Sequence, residues 1–152
     1  MATKDLGAAV REIYEAWNAK DLDRCLSYAH PDARMTNVPF GAKLSFREYI
    51  ENWARAFPDG KIEVMNLVSQ GDSVIAEFTG SGTHTGTMKG PTGDLPPTGR
   101  RVEMSVVESY RFRGDKITEG RVYFDAFTFF TQLGVGAPTQ AGAATTTQQA
   151  RH

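Results

Sequence analysis

Apolar residues recur at helical spacing in the first segment, at Leu6, Val10, Ile13 and Trp17, which leaves Lys4, Arg11 and Glu15 to face water. Thr3 offers an N-cap for this helix. Asp21 can cap a second, shorter helix carrying Leu22, Cys25, Leu26 and Ala29. The His30-Pro31 step then ends it, because the residue before a proline is pushed out of the helical region. "DARMTNV" reads as a short strand. "SFREYIENWARAF" is the clearest helix: Ser45 and Glu48 form a capping box, and Phe46, Tyr49, Ile50, Trp53 and Phe57 build one apolar stripe before Pro58-Asp59-Gly60.

Beyond that point the period changes from helix to strand. "KIEVMNLVSQ" runs into the turn signal Gly71-Asp72 and continues as "SVIAEFTGSGTH". "RRVEMSVVESYRFR" is joined to "KITEGRVYFDAFTFF" through Gly114-Asp115, which predicts a hairpin and makes the embedded Arg-Gly-Asp a turn. Helices first and a long antiparallel sheet afterwards predict an α+β domain, with the helices on one face of a strongly bent sheet and a cone-shaped cavity between them. We place this single domain at residues 1–135. From Gly136 the chain turns to Ala, Thr, Gln and Gly without large apolar residues, so 136–152 is expected to be a disordered low-complexity tail.

Strand alternation sorts the faces. Val102, Met104, Val106, Glu108, Tyr110 and Phe112 share one face, so Glu108 is a carboxylate on an otherwise apolar side. Val74, Ala76, Phe78, Gly80, Gly82 and His84 share another, where the glycines either leave room for a ligand or mark a bulge. The last strand is ambiguous, with Glu119, Arg121, Tyr123, Asp125 and Phe127 on one side and Val122, Phe124 and Ala126 on the other.

Composition narrows the chemistry. The chain has 152 residues and a formal net charge of -1, with no basic excess to suggest nucleic acid or an anionic membrane surface. One cysteine, Cys25, excludes an internal disulfide and fits a reducing compartment. Neither a signal peptide nor a membrane span is visible, so a cytoplasmic protein is expected. "GSGTHTG" lacks the spacing and the following helix of a dinucleotide loop, and no phosphate loop or hydrolase elbow is present. His30, His84 and His152 have no zinc-type spacing, so no metal and no cofactor is expected. Acid/base chemistry by side chains, or plain ligand binding, remains.

Asp125 stands in the most aromatic run of the chain, "VYFDAFTFF". A carboxylate desolvated there has its pKa raised toward values useful for proton transfer. The alternatives are a structural acid paired with Arg121 or one capping the turn that follows. His84 lines a pocket or only ties hydroxyls and backbone together. Glu108 is a pocket acid or the partner of an arginine.

Five short marks carry a family resemblance: Ala-Phe-Pro-Asp at 56–59, Gly-Thr-His-Thr-Gly at 82–86, Pro-Pro-Thr-Gly at 96–99, Tyr-Phe-Asp at 123–125 and Gln-Leu-Gly at 132–134. The chain resembles the SnoaL-like polyketide cyclases and related ester-cyclase-like proteins over nearly all of residues 5–134. The resemblance implies the nuclear-transport-factor-like α+β cone and a homodimer through the sheet. It implies a cyclase or isomerase that removes a proton beside a carbonyl, without metal or cofactor, from a small hydrophobic organic substrate. It places the catalytic acid/base on Asp125, with His84 beside it at the pocket. Tyr123, Arg121 and Glu108 are the expected polar substrate contacts, and Trp17, Trp53, Phe57, Phe78 and Met104 the apolar lining. Relatives carry His-Trp where this chain has Gly120-Arg121. Two other readings stay open: a non-catalytic binding protein, with the acid locked in a salt bridge beside an apolar cavity, and an epoxide hydrolase or hydroxylation-related protein, which needs a second carboxylate such as Glu108 to hold water.

Overall fold

A computed structural model describes residues 5–136. Its helices begin where side chains satisfy their first N–H groups. α1 (Leu6–Asn18) is capped by Asp5, whose carboxylate accepts from the Ala8 amide at 3.0 Å. The proposed cap Thr3, like Lys4, lies outside the described residues. α2 (Leu22–Leu26) is capped by Asp21 as expected, but it stops short of Ala29, which opens β1 (Ala29–Asn37). β2 (Ala42–Ser45) follows, and Ser45 and Glu48 close a complete capping box on α3 (Phe46–Ala56).

β3 (Lys61–Gln70) and β4 (Ser73–Thr83) form a hairpin through Gly71, whose φ of 60° is the left-handed conformation that glycine takes without strain. Between β4 and β7 (Arg101–Arg113) the chain makes an excursion containing the small hairpin β5 (Met88–Gly90) and β6 (Gly93–Leu95), which the strand pattern alone does not predict. β8 (Lys116–Tyr123) ends earlier than the sequence pattern suggests, because Asp125 caps a short helix, α4 (Ala126–Gln132).

The six-stranded sheet has the order β2-β1-β8-β7-β4-β3 and does not close on itself. It is antiparallel except where β1 runs parallel to β8. Register fixes which residues share a face: Ala76 pairs with Glu108, and Glu108 with Val122, so all three project to the helix side. The core of α1, α3 and the inner sheet face includes Val10, Ile13, Phe46, Ile50, Val74 and Phe112. A second cluster holds α4 to the sheet through Phe129, Phe130 and Leu133. The tail expected from 136 onward falls outside the described residues, except for Gly136.

Candidate functional site

A cavity of about 120 Å³ opens between α1, α3, α4 and the inner face of β4, β7 and β8. Trp17, Trp53, Phe57, Phe78 and Met104, the five expected apolar residues, stand on its wall. Gly80 and Gly82 stand there too. A Cβ on Gly82 would lie 3.1 Å from the Phe57 Cβ and 3.3 Å from the Gly60 Cα, so this glycine lets the end of α3 close onto β4. Trp53 meets Phe124 and Phe129 edge-on, at centroid distances of 5.9 and 5.7 Å, which fixes the wall between the cavity and α4.

Among the described residues, Glu108 is the one carboxylate on this wall. It is 4% exposed, and three phenols converge on it. Tyr14 and Tyr110 donate to Oε1 at 2.8 and 2.6 Å, and Tyr49 donates to Oε2. Hydrogen bonds to an ionised group contribute about 1.5–3 kcal/mol each, set against a desolvation cost of several kcal/mol for a buried ion. The cost leads: burial raises the Glu108 pKa above the ordinary carboxylate value of 4.5, and the three phenols only moderate the rise. Burial, then the Glu108 charge, holds all three phenols well above their usual range, so they stay protonated donors. A carboxylate offers four acceptor positions, and three are taken here. The arginine considered as a partner for Glu108 is replaced by this trio. Sequence reasoning placed Tyr49 and Tyr110 on apolar faces without assigning them to Glu108, and it missed Tyr14; the signal was a carboxylate two residues from a tyrosine on the same strand face.

His84 does not line this cavity. It is fully buried at a corner where three of the sequence marks meet. Its Nδ1 accepts from the Thr98 amide at 3.1 Å and lies 3.0 Å from the Thr98 hydroxyl, while its own carbonyl accepts from Gly99. Its ring stands 5.4 Å from that of Phe57, and the next amides, Thr85 and Gly86, donate to the Ala56 carbonyl. Asp59 completes the corner by accepting from the Thr83 amide at 2.7 Å. Burial lowers the His84 pKa, so the neutral ring is the resting form. The 56–59, 82–86 and 96–99 marks therefore brace the end of α3 and the excursion against β4.

Asp125 departs most from its expected surroundings. It is exposed, and its Oδ1 accepts from the Phe127 and Thr128 amides at 3.0 and 3.4 Å while Oδ2 accepts from the Thr128 hydroxyl at 2.8 Å. Hydrogen bonds from Thr128, followed by that from Phe127, hold its pKa below the usual carboxylate value, where desolvation was expected to raise it. Of the two open readings, a turn cap and an Arg121 pair, the geometry is that of the cap. Tyr123 and Arg121 are also outside the cavity, on the opposite face of the sheet, because Val122 of β8 and Phe124 just after it point inward. The Gln132 carboxamide locks α4 to β7, accepting from the Glu103 amide at 2.7 Å and donating to its carbonyl at 3.0 Å. Cys25 is buried, donates to the Ile13 carbonyl, and has a thiol pushed up to about 11 by burial, so it is no nucleophile. Among the described residues, no three His, Cys, Asp or Glu side chains stand together as a metal site, and no helix is long and apolar enough to cross a membrane.

The sequence profile of the SnoaL-like polyketide cyclase family matches residues 7–133. Among solved structures, the chain is similar to AclR, a hydroxylase candidate from Streptomyces galilaeus, at 28% identity and TM-score 0.70, covering 85% of this chain and 80% of that one. It is similar to wild-type IdmH, a polyketide cyclase candidate from Streptomyces antibioticus, at 28% identity and TM-score 0.68, covering 87% of this chain and 100% of that one. A SnoaL-like protein from Jannaschia sp. CCS1, at 19% identity and TM-score 0.70 over 91% of this chain and 99% of that one, shares the fold. No curated protein matches the chain.

Proposed function

The chain belongs to the SnoaL-like polyketide cyclase family, and from that premise we propose that it closes or isomerises a carbonyl-activated, largely apolar molecule in the cavity, with Glu108 as general acid/base. The observation that carries this reading is the single desolvated carboxylate on an aromatic wall, with three phenols aimed at it. The free acceptor position of the carboxylate takes a proton from carbon beside a carbonyl, and the C–H electron pair moves into that carbonyl as an enolate. The enolate carbon then attacks a second carbonyl of the same molecule, a C–C bond forms, and the new alkoxide takes the proton back from Glu108. Nothing is consumed. The phenols steady the carboxylate in each state, and the dry wall keeps the enolate from water.

The family resemblance gives the proton transfer to Asp125. That carboxylate would have to release the first turn of α4 and turn inward, so we assign the step to Glu108. The pair of variants Glu108→Gln and Asp125→Asn, assayed on an activated-carbonyl substrate, tests the assignment. Loss of turnover in Glu108→Gln alone supports it, and loss in Asp125→Asn alone returns the role to Asp125.

We also assign the outer sheet face to a homodimer. Val68 and Ile75 pair across β3 and β4, Val107 and Tyr123 across β7 and β8, and Val68, Ile75 and Tyr123 are 54, 44 and 43% exposed. Ile75→Lys should convert a dimer to a monomer in light scattering; an unchanged mass would exclude this face.

A further inference from the structure

A second cavity, of about 200 Å³, lies on the far side of Trp53 and Tyr49, the two residues it shares with the first. The turn after β1, the polar flank of α3 and the β5–β6 hairpin enclose it. The hairpin is held over it by Asn52, whose carboxamide accepts from the Lys89 amide at 2.9 Å and donates to the Lys89 carbonyl at 3.1 Å.

Asn37 reaches this cavity from the end of β1 while only 4% exposed. Its Oδ1 accepts from the Phe40 amide at 3.2 Å, which settles which way the carboxamide faces, and its Nδ2 donates to no described group. Among the described residues only His84 Nε2 is both sealed from solvent and without a partner, so Asn37 Nδ2 opens on the solvent of the cavity it lines and can donate to an acceptor placed there. The charges around it balance. Two carboxylates, Glu48 and Glu51, stand with two cations, Arg55 and Lys89; one oxygen of each carboxylate, the Arg55 Nη1 and the Lys89 ammonium have no hydrogen bond to a described group. Phe40, Leu44 and Trp53 supply an apolar floor.

An amide donor, two carboxylates balanced by two cations, and an aromatic floor suit a neutral ring with hydroxyls at its edge and C–H groups on its face. We propose that this hairpin-covered cavity is a second binding site, for a neutral polyhydroxylated ring of the sugar or cyclitol class, with Asn37 Nδ2 donating to a ring hydroxyl. It stands apart from the Glu108 chemistry and needs none of it.

The test is titration of the full chain with methyl β-glucopyranoside and with myo-inositol at millimolar concentration, with benzoate as a charged, flat control. The readouts are the nuclear magnetic resonance signals of the Lys89 and Gly90 amides and the Trp53 indole. Saturable shifts with a neutral ring, absent with benzoate, are expected. Asn37→Asp keeps the acceptor for Phe40 but removes both donors, and should weaken binding about tenfold, the equivalent of 1.4 kcal/mol. Ala42→Leu fills the cavity from β2 and should abolish the shifts at an unchanged melting temperature. Glu108→Gln should leave them intact, which separates this proposal from the catalytic one. No shift with either ring, a stronger response to benzoate, or shifts that survive Ala42→Leu would overturn the proposal.

Discussion

Glu108 on β7 and Asp125 just past the neighbouring strand β8 have surroundings that push them in opposite directions. Glu108 faces an apolar wall, and burial raises its pKa in spite of three donors. Asp125 faces solvent, and the first turn of a helix lowers its pKa. The number of hydrogen bonds does not separate them, since each accepts three. What separates them is how much water each has lost. A carboxylate that stays solvated and bonded is a good anchor; one that is dried out is a candidate proton carrier.

The sharpest way to break this comparison is to neutralise each acid in turn. Glu108→Gln, nearly the same in volume, should cut kcat by about 10²–10⁴, the usual contribution of a positioned general base, with the fold retained by circular dichroism. Asp125→Asn keeps one acceptor for the α4 amides and should leave kcat within a few-fold. Reversal of that order would move the chemistry to the outer rim.

A smaller effect comes from thinning the donors. Tyr14→Phe removes one of the two donors to Glu108 Oε1, so the acidic limb of the pH–rate profile, where Glu108 loses its proton, should move to higher pH, with a stability loss of about 1.5–3 kcal/mol in urea titration. A limb that stays put would mean that Glu108 does not set it. Smaller again is the loss of the cap: Asp125→Ala should lower the melting temperature measurably while leaving the pH–rate profile alone.

The slightest effect is the pH dependence of stability, where the two acids have opposite signs. Native Glu108 holds its proton more tightly than the unfolded chain does. Its contribution is therefore constant below the ordinary value of 4.5 and turns destabilising as pH rises from there through the raised native pKa. Asp125 contributes above its ordinary value of 3.8 and loses that contribution as pH falls through its lowered native one. Denaturant titrations of wild type and Glu108→Gln across this range should diverge at the upper end only.

The elements were legible wherever the pattern was long: α1 and α3 from their stripes, β3, β4 and β7 from alternation and turns. The short pieces were not. β2, β5 and β6 have three or four residues each, too few for a period to register. α4 hid inside an aromatic run that reads equally well as strand, and that one error carried Asp125 from the rim to the interior. The cavity wall followed from face sorting, because alternation is a geometric rule. The sequence marks pointed elsewhere, since His84, Thr98, Asp59 and Gln132 are bound to backbone and serve as braces. The Glu108 cluster depends on α1 and α3 delivering Tyr14 and Tyr49 from far along the chain, which no local pattern reports.

The parallel pairing of β1 with β8 has a consequence for how the chain acquires this shape. Ala29 aligns with Ile117 and Asn37 with Val122, so the sheet joins the first described strand to the last described one. β1 has only its short partner β2 until β8 has been made, whereas β3, β4 and β7 can assemble as a meander in chain order. Contacts of such separation come late and slow folding. A ribosome-bound chain halted before β8 would hold a finished three-strand half and an unpaired β1 edge open to solvent. The residues that complete the sheet are also those that lead into α4, so the cavity wall is sealed only once β8 has been made.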